Sequence, residues 1–205
     1  MRTNRVLLSV LAGCALLAGP ALAQEKKAGG PPQMSAEEKA TMEAFAKMAA
    51  VGENHKLLEY MLGDWITVNK MWMQPGAPPM ESLGTCSSKP AMGGRYILSE
   101  HKGMVMGQPF EGVATTGYDN TTGKFVATWM DNMSTGIMLT TGSYDLASKS
   151  FTYLSEMPDP MQPKVVVKVR EVFKLVDKDK HMLEWYETRD GKEAKTMEVT
   201  YTRKK

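Results

Sequence analysis

From Gly63 onward the chain consists of short segments rich in β-branched and aromatic residues, and each segment is bounded by Gly, Pro, Asn or Asp. This pattern is typical of antiparallel strands joined by tight turns. A meander of about ten strands exposes two sheet edges unless it closes on itself. The predicted fold class is therefore all-β, an antiparallel closed meander β-barrel. The predicted strands lie near Trp65–Met73, Glu81–Ser88, Arg95–Lys102, Phe110–Tyr118, Lys124–Met130, Gly136–Tyr144, Ser150–Met157, Lys164–Val176, Met182–Thr188 and Ala194–Arg203.

The last predicted strand shows the alternation of faces most clearly. Met197, Val199 and Tyr201 share one face, which ends in Arg203. An arginine that closes an apolar face needs an aromatic plane or a carboxylate, and barrel closure sets the first and last strands side by side. Trp65, at the start of the first strand, is therefore the predicted partner of Arg203 in barrel closure.

Two helices are predicted over residues 35–62, before the barrel domain of residues 63–205. Ser35 and Glu38 have the spacing of a capping box, in which each side chain satisfies the other residue's free backbone N–H. A second, short helix is predicted over residues 54–62, and both helices are expected to cap the barrel. The apolar positions at helical spacing in the first helix are Met42, Phe45 and Ala49.

Residues 1–23 have the layout of a secretion signal. An apolar run follows two arginines and ends at Ala21-Leu22-Ala23, the small-residue pattern that signal peptidase accepts. The run is shorter than the roughly 20 residues that cross a bilayer. We therefore expect cleavage before Gln24 and export to the periplasm or the exterior, with no transmembrane segment.

Leu11-Ala12-Gly13-Cys14 also resembles a lipobox, and lipidation of Cys14 is the less favoured alternative. Residues 24–34, rich in Lys, Gly and Pro, are predicted to form a flexible tether.

Charge and cysteine content narrow the function classes. Cleavage would remove two arginines and no acid, and the rest of the chain holds 23 basic and 23 acidic residues. A neutral domain gives no electrostatic reason to bind nucleic acid or an anionic membrane. Only Cys86 would remain, so no intrachain disulfide is possible, and Cys86 is either a buried free thiol, which is the preferred interpretation, or an intermolecular link.

Several motifs of the chain resemble known families. Gly63-Asp64-Trp65, together with Arg203 on the last strand, resembles the Gly-x-Trp and C-terminal arginine of lipocalin-like (calycin) barrels. The chain also contains the longer motifs His55-Lys56-Leu57-Leu58, Gly93-Gly94-Arg95-Tyr96, Phe110-Glu111-Gly112, Gly117-Tyr118-Asp119-Asn120, Thr128-Trp129-Met130-Asp131-Asn132-Met133, Pro158-Asp159-Pro160, Val169-Arg170-Glu171-Val172 and Thr200-Tyr201-Thr202-Arg203. These motifs resemble a bacterial domain family of unknown function, DUF1579. This resemblance implies a secreted lipocalin-like barrel without an assigned activity.

Glu171 is the most informative candidate for a functional residue. Strict alternation places it on the same strand face as Val169 and Phe173, so it would point into the barrel as a polar anchor for a ligand. A bulge between Arg170 and Val172 would instead turn it outward, and this interpretation is slightly preferred. A third possibility is an internal salt bridge between Glu171 and Arg95.

Trp129 and Asp131 form a second candidate cluster at the end of a predicted strand. They could line a ligand site, with Trp129 stacking on the ligand and Asp131 accepting a hydrogen bond. Turn chemistry at Asp131, with Trp129 in the core, explains the same residues and is preferred. Arg95 and Tyr118 complete the set of candidate ligand-binding residues.

The histidines and methionines do not establish a metal site. His55, His101 and His181 lack ligand spacing for zinc. Related barrels bind haem through one axial histidine, but the sequence singles out neither His101 nor His181. Two Met-x-Met pairs could ligate Cu(I), but methionine as a flexible core filler, also suited to an adaptable apolar pocket, is the preferred explanation. The pairs are Met71/Met73 and Met104/Met106, and the segment around the second pair is expected near a barrel mouth.

Three function classes remain open, and the cofactor is unknown. The leading hypothesis is a periplasmic lipocalin-like binding protein for a small apolar or amphipathic ligand. The first alternative is an isomerase or hydrolase that uses Glu171 or Asp131 as general base, although no nucleophile motif or phosphate-binding loop is present. The second alternative is a scaffold of the cell envelope, which predicts an occluded interior and an exposed apolar patch.

Overall fold

The computed structural model describes residues 34–74 and 76–205, and the predicted signal peptide and nearly all of the predicted tether lie outside them. Ten antiparallel strands form one closed barrel in which each strand pairs with its neighbours in the sequence and β1 pairs with β10. The predicted fold class is confirmed. The strands are β1 Gly63–Met71, β2 Met80–Ala91, β3 Tyr96–Val105, β4 Gln108–Asp119, β5 Lys124–Asp131, β6 Met138–Asp145, β7 Ser150–Pro158, β8 Val166–Asp177, β9 Lys180–Arg189 and β10 Lys192–Arg203.

The seam of the barrel brings Trp65 and Arg203 together. They are register partners of β1 and β10, and the guanidinium carbon lies 4.1 Å from the centre of the Trp65 ring. The indole Nε1 donates to the Met61 carbonyl at 3.0 Å, so Trp65 is fixed from both sides. Gly63 is required here, because its φ is +115° and a Cβ would collide with Nη1 of Arg203.

One end of the barrel, where β1 begins, is closed by a short helix α2 (Glu53–Leu57) and the 3₁₀ helix Leu58–Met61 that follows it. Leu58 is completely buried there. Residues at this end of the strands pack around it, so the barrel is filled with side chains at this end. The buried residues of this core are Leu58, Ile97, Phe125, Phe151, Tyr153 and Leu175.

The first helix, α1 (Ala36–Ala49), forms as predicted and carries the Ser35–Glu38 capping box. It does not cap the barrel, because no residue of α1 is buried and the side chain of Phe45 is 63% exposed. An apolar stripe shows which face a helix can bury, but not whether a partner is available. The helix is held at its C-terminal end by the Asn120 amide, which donates to carbonyls of Lys47, Met48 and Ala50. Neither of the α-helices described is long and apolar enough to cross a membrane.

Candidate functional site

The other half of the barrel is hollow. A cavity of about 1730 Å³ extends from the packed end to the open end, where β1 finishes and β2 begins. All ten strands contribute at least one lining residue. Its walls are mostly apolar and aromatic, and all four tryptophans of the chain, Trp65, Trp72, Trp129 and Trp185, line it.

Trp129 occupies its place on the cavity wall because the neighbouring strand carries a glycine. A Cβ at Gly112 would lie 2.5 Å from Cη2 of Trp129, so only glycine leaves room for the indole. Phe110 stacks on the same ring at a centroid distance of 6.2 Å, and His101 meets it edge-on at 5.1 Å. Together these rings form a rigid aromatic wall on the β3–β5 side of the cavity.

The open end is surrounded by eight methionines, here called the methionine rim. Both Met-x-Met pairs lie on it, and the second pair reaches the β3–β4 turn as expected. Several of these side chains are exposed, and Met106 is 63% accessible. Unbranched thioether side chains at the entrance of an apolar cavity can adapt to guests of different shape. The methionine rim consists of Met71, Met73, Met80, Met104, Met106, Met133, Met138 and Met161.

Glu171 lies halfway along β8 and lines the cavity. The preferred prediction of a bulge at Arg170–Val172 is wrong, since β8 pairs without a register shift there on both sides. Continuous alternation therefore keeps the carboxyl on the inner face. Its Oε1 is fully covered and has no hydrogen-bond partner among the described residues. Burial raises the pKa of Glu171 from 4.5 to about 7, because an ionised carboxylate loses its hydration there.

Four further buried polar atoms, on Thr140, Tyr153, Ser155 and His181, also lack partners within the described chain. The hydroxyls of Tyr153 and Thr140 are buried and make no hydrogen bond. Tyr153 is the cross-strand partner of Glu171, and burial, together with the nearby Glu171, raises the pKa of its hydroxyl. The sequence shows by alternation that Phe151 and Tyr153 share one strand face. It does not show that Tyr153 pairs with Glu171, because the long β7–β8 connection does not determine the register of the two strands.

Cys86 and His101 meet inside the cavity. The thiol Sγ lies 3.5 Å from Nε2 of His101 and 3.4 Å from the hydroxyl of Ser88, and Ser88 in turn contacts Ser99 at 2.7 Å. Burial raises the pKa of the Cys86 thiol and lowers that of His101 from 6.5 to about 4. Both groups are therefore neutral near pH 7, and Cys86 is a free, buried thiol that lacks the thiolate character of a nucleophile.

Asp131 shows the predicted turn chemistry, and its contact with a ligand stays a prediction. One carboxylate oxygen of Asp131 accepts from the Met133 amide at 3.0 Å, as turn chemistry predicts. The other accepts from the indole Nε1 of Trp129 at 2.7 Å. Both residues line the cavity. Asp131 thus fixes the orientation of a wall residue, and one acceptor site on each of its carboxylate oxygens is already used.

Arg95 and Tyr118 do not lie in the cavity, which corrects the predicted set. Arg95 precedes β3 at the packed end, and its guanidinium donates to the Met92 carbonyl at 3.1 Å. The proposed Arg95–Glu171 salt bridge is absent from the ion pairs of the described residues. Tyr118 packs against Phe125 in the core. Both line a separate depression of about 110 Å³ instead. Their motifs stand next to turns, so sequence alone could not assign them to one end of the barrel.

The cations that line the cavity lie at its open end. Arg189 pairs with Glu187 at 2.8 Å and with Asp159 of the β7–β8 connection. Lys195 pairs with Glu198 at 2.6 Å, and the Lys102 ammonium lies 3.4 Å from Glu111. The fourth cation on the lining is Lys192, at the start of β10. None of the ion pairs found in residues 34–74 and 76–205 includes Glu171.

A family model described as a protein of unknown function (DUF1579) matches residues 50–203. The chain belongs to the DUF1579 family. The match takes in α2, the 3₁₀ helix and all ten strands, whereas α1 lies outside it. None of the curated proteins compared with this DUF1579 member matches its sequence.

Among solved structures, the DUF1579 chain is similar to a crystal structure of Rv2717c from M. tuberculosis. The two are 12% identical with a TM-score of 0.54, and the alignment covers 76% of this chain and 100% of that chain. At this level of identity the likeness concerns the fold alone. The closed ten-stranded barrel fits a calycin-like fold.

The His, Cys, Asp and Glu side chains described in this DUF1579 cavity do not form a metal cluster. Within the described part of the chain, no three His, Cys, Asp or Glu side chains lie close enough to hold a metal ion. His181 is held against the Tyr60 carbonyl at 2.6 Å through Nε2 and packs on Trp65. The interior presents to a ligand an apolar surface with a few polar groups that lack hydrogen-bond partners among the described residues, and Glu171 is the most polar of them.

Proposed function

We propose that this protein binds a small apolar or amphipathic molecule inside its barrel, and that it does so after export to the periplasm or the exterior. The observation that carries the proposal is the open cavity, with its aromatic walls and the unpartnered polar groups of Glu171, Tyr153 and Thr140. A buried polar atom without a partner is unfavourable by roughly 1–3 kcal/mol. A ligand that reaches these groups, with rotation of the side chains that cover them, and supplies the missing hydrogen bonds recovers part of this free energy on binding.

The dimensions of the cavity support a sizeable guest. Pockets for small ligands commonly measure about 300–1,000 Å³, and this cavity measures about 1730 Å³. A molecule with a flexible apolar chain fits better than a compact metabolite, because the walls are apolar over most of their length and the methionine rim can adapt. Burial of each methylene group contributes roughly 0.8 kcal/mol to binding.

The two alternatives from the sequence have less support. A scaffold protein predicts an occluded interior, and this barrel is hollow from its middle to its open end. An enzyme could use Glu171 as a general base, since a pKa of about 7 suits that role. Asp131, the other proposed base, already accepts from Trp129 and Met133, and Cys86 is not an activated nucleophile.

Tryptophan fluorescence offers a direct test of binding, because all four natural tryptophans line the cavity. A bromoalkyl alcohol should quench most of the emission saturably, and the same alcohol without bromine should reverse the quenching by competition. The matched control is Thr115→Trp, which adds a reporter beside the wall residue Ala114 but on the outer face. Its additional emission should persist at saturation. Quenching that rises linearly without saturation, or that affects the added tryptophan equally, would contradict binding in the cavity.

The location is tested by expression from the native gene in a Gram-negative host. We expect the protein in the periplasmic fraction, with an intact mass that begins at Gln24 and a free thiol at Cys86. A mass that begins at a lipid-modified Cys14 would establish the lipoprotein alternative. Full-length protein confined to the cytoplasm would contradict export.

A further inference from the structure

Glu171 is a buried carboxyl group without a cationic partner among residues 34–74 and 76–205. It lies halfway along the barrel, its Oε1 has no partner in the described chain, and the residue faces the cavity. Internal cations do not reach it, because the lysines and arginine on the lining lie at the open end and three of those four are engaged with other acids. A buried carboxylate is stable only when it is paired, hydrogen-bonded or protonated.

The groups around Glu171 suit a cation. Its cross-strand partners are Tyr153 on β7 and Trp185 on β9, and Phe173 follows two residues later on the same face of β8. Aromatic faces attract cations electrostatically, by roughly 0.5–2 kcal/mol when water is excluded. A carboxyl group flanked by aromatic side chains is therefore a site in which an ammonium group gains both a charge partner and favourable ring contacts.

An anionic head group would find no positive partner in this part of the cavity. The ionisable groups in this part of the cavity are Glu171, Tyr153, Tyr201, Cys86, His101 and His181. Burial raises the pKa of Tyr153, Tyr201 and Cys86 and lowers that of the two histidines, so these five groups stay neutral near pH 7. None of them supplies a positive charge to a carboxylate or phosphate ligand, whereas Glu171 repels it.

We infer that the ligand of this cavity is an amphipath with a cationic amine head group, and that the amine binds beside Glu171 while its apolar part extends toward the methionine rim. This inference rests on the proposed function, since it names the ligand class of the same cavity. Binding of the amine restores the ionised form of Glu171, and the proton held by the free carboxyl group is released to solvent.

Three compounds with the same alkyl chain and different head groups test this inference: decylamine, decanol and decanoate, each below its aggregation concentration. Their dissociation constants are measured at about pH 8 by competition with the bromoalkyl alcohol. We expect decylamine to bind at least tenfold more tightly than decanol, and decanoate to bind more weakly than decanol. In Glu171→Gln the advantage of the amine over the alcohol should disappear, while decanol still binds.

The matched control is Glu184→Gln, which removes the same charge from the neighbouring strand on the outer face, where Glu184 pairs with Lys174. This variant should retain the preference for the amine. If decanol binds and decylamine binds no better, the amine inference is overturned while the proposed function stands. If none of the three compounds binds, the proposed function itself fails. If Glu184→Gln abolishes the preference as completely as Glu171→Gln, the amine responds to overall charge, and the assignment to Glu171 is wrong.

Discussion

The Glu171→Gln variant is expected to gain about 3 kcal/mol of unfolding free energy relative to the unchanged protein as the pH rises from 4.5 to about 8. Burial raises the pKa of Glu171 from 4.5 to about 7 in the folded protein. Between these values the unfolded chain releases the proton and the folded chain keeps it, so the unchanged protein loses stability as the pH rises. Each pKa unit corresponds to about 1.4 kcal/mol. Glutamine has no proton to release, and urea unfolding at both pH values measures the difference.

His101 acts with the opposite sign in nearly the same pH range. Burial lowers its pKa from 6.5 to about 4. Below pH 6.5 His101 is protonated in the unfolded chain but stays neutral in the folded chain, so the protein loses stability as the pH falls. The His101→Gln variant should therefore gain about 3 kcal/mol relative to the unchanged protein between about pH 7 and pH 4.

The two effects offset each other in the unchanged protein between about pH 4.5 and 6.5, and each single variant exposes the other group. Relative to the double variant, Glu171→Gln should gain stability as the pH rises through this range, and His101→Gln should lose it. His181, whose pKa burial also lowers, is present in all four proteins and cancels in the differences. Tyr153, Tyr201 and Cys86 have raised pKa values and do not titrate in this range. Parallel pH profiles for the unchanged protein and Glu171→Gln would show that Glu171 is not buried as described.

The sequence was sufficient for the architecture because turn chemistry and strand alternation are local. Segments such as the one from Asp119 to Gly123 mark their own turns, and short turns between neighbouring strands permit little except a meander. All ten strands appear where predicted to within a few residues at each end. The Trp65–Arg203 pairing could also be predicted, because closure of a meander pairs its first strand with its last.

The interior was harder to predict, because it depends on registers and on neighbours that are distant in sequence. A bulge that turns Glu171 outward is slightly preferred from sequence, because it would turn apolar Val172 inward. In the structure Val172 is buried on the outer face, where its cross-strand partners are Thr152 and Glu184. An apolar residue on the outer face of a barrel therefore needs no bulge. The hollow interior depends on several small lining residues at once, such as Ala114 and Ala127, which leave space that larger side chains would fill.

Replacement of Arg203 by alanine is expected to lower the unfolding free energy by about 3 kcal/mol. Lysine at this position is not expected to restore the lost stability. The Arg203 guanidinium lies over Trp65 and donates to the Leu62 carbonyl at 2.9 Å and to the Lys178 carbonyl at 2.8 Å. One planar group therefore joins the seam, the segment that closes the packed end, and the β8–β9 turn. Each hydrogen bond contributes roughly 1 kcal/mol, as does the cation–π contact. Urea unfolding of Arg203→Ala measures their combined loss.

The comparison with Arg203→Lys separates charge from geometry. An ammonium group retains the positive charge but cannot reach both carbonyls while it covers the indole, so this variant should lose most of the same free energy. The adjacent Lys204→Ala, which removes one exposed charge, should change the unfolding free energy by less than about 0.5 kcal/mol. Hydrogen exchange should locate the damage in β1 and β10, since their pairing closes the barrel. If Arg203→Lys is as stable as the unchanged protein, charge alone holds the seam, and the role assigned to the planar donor group is wrong.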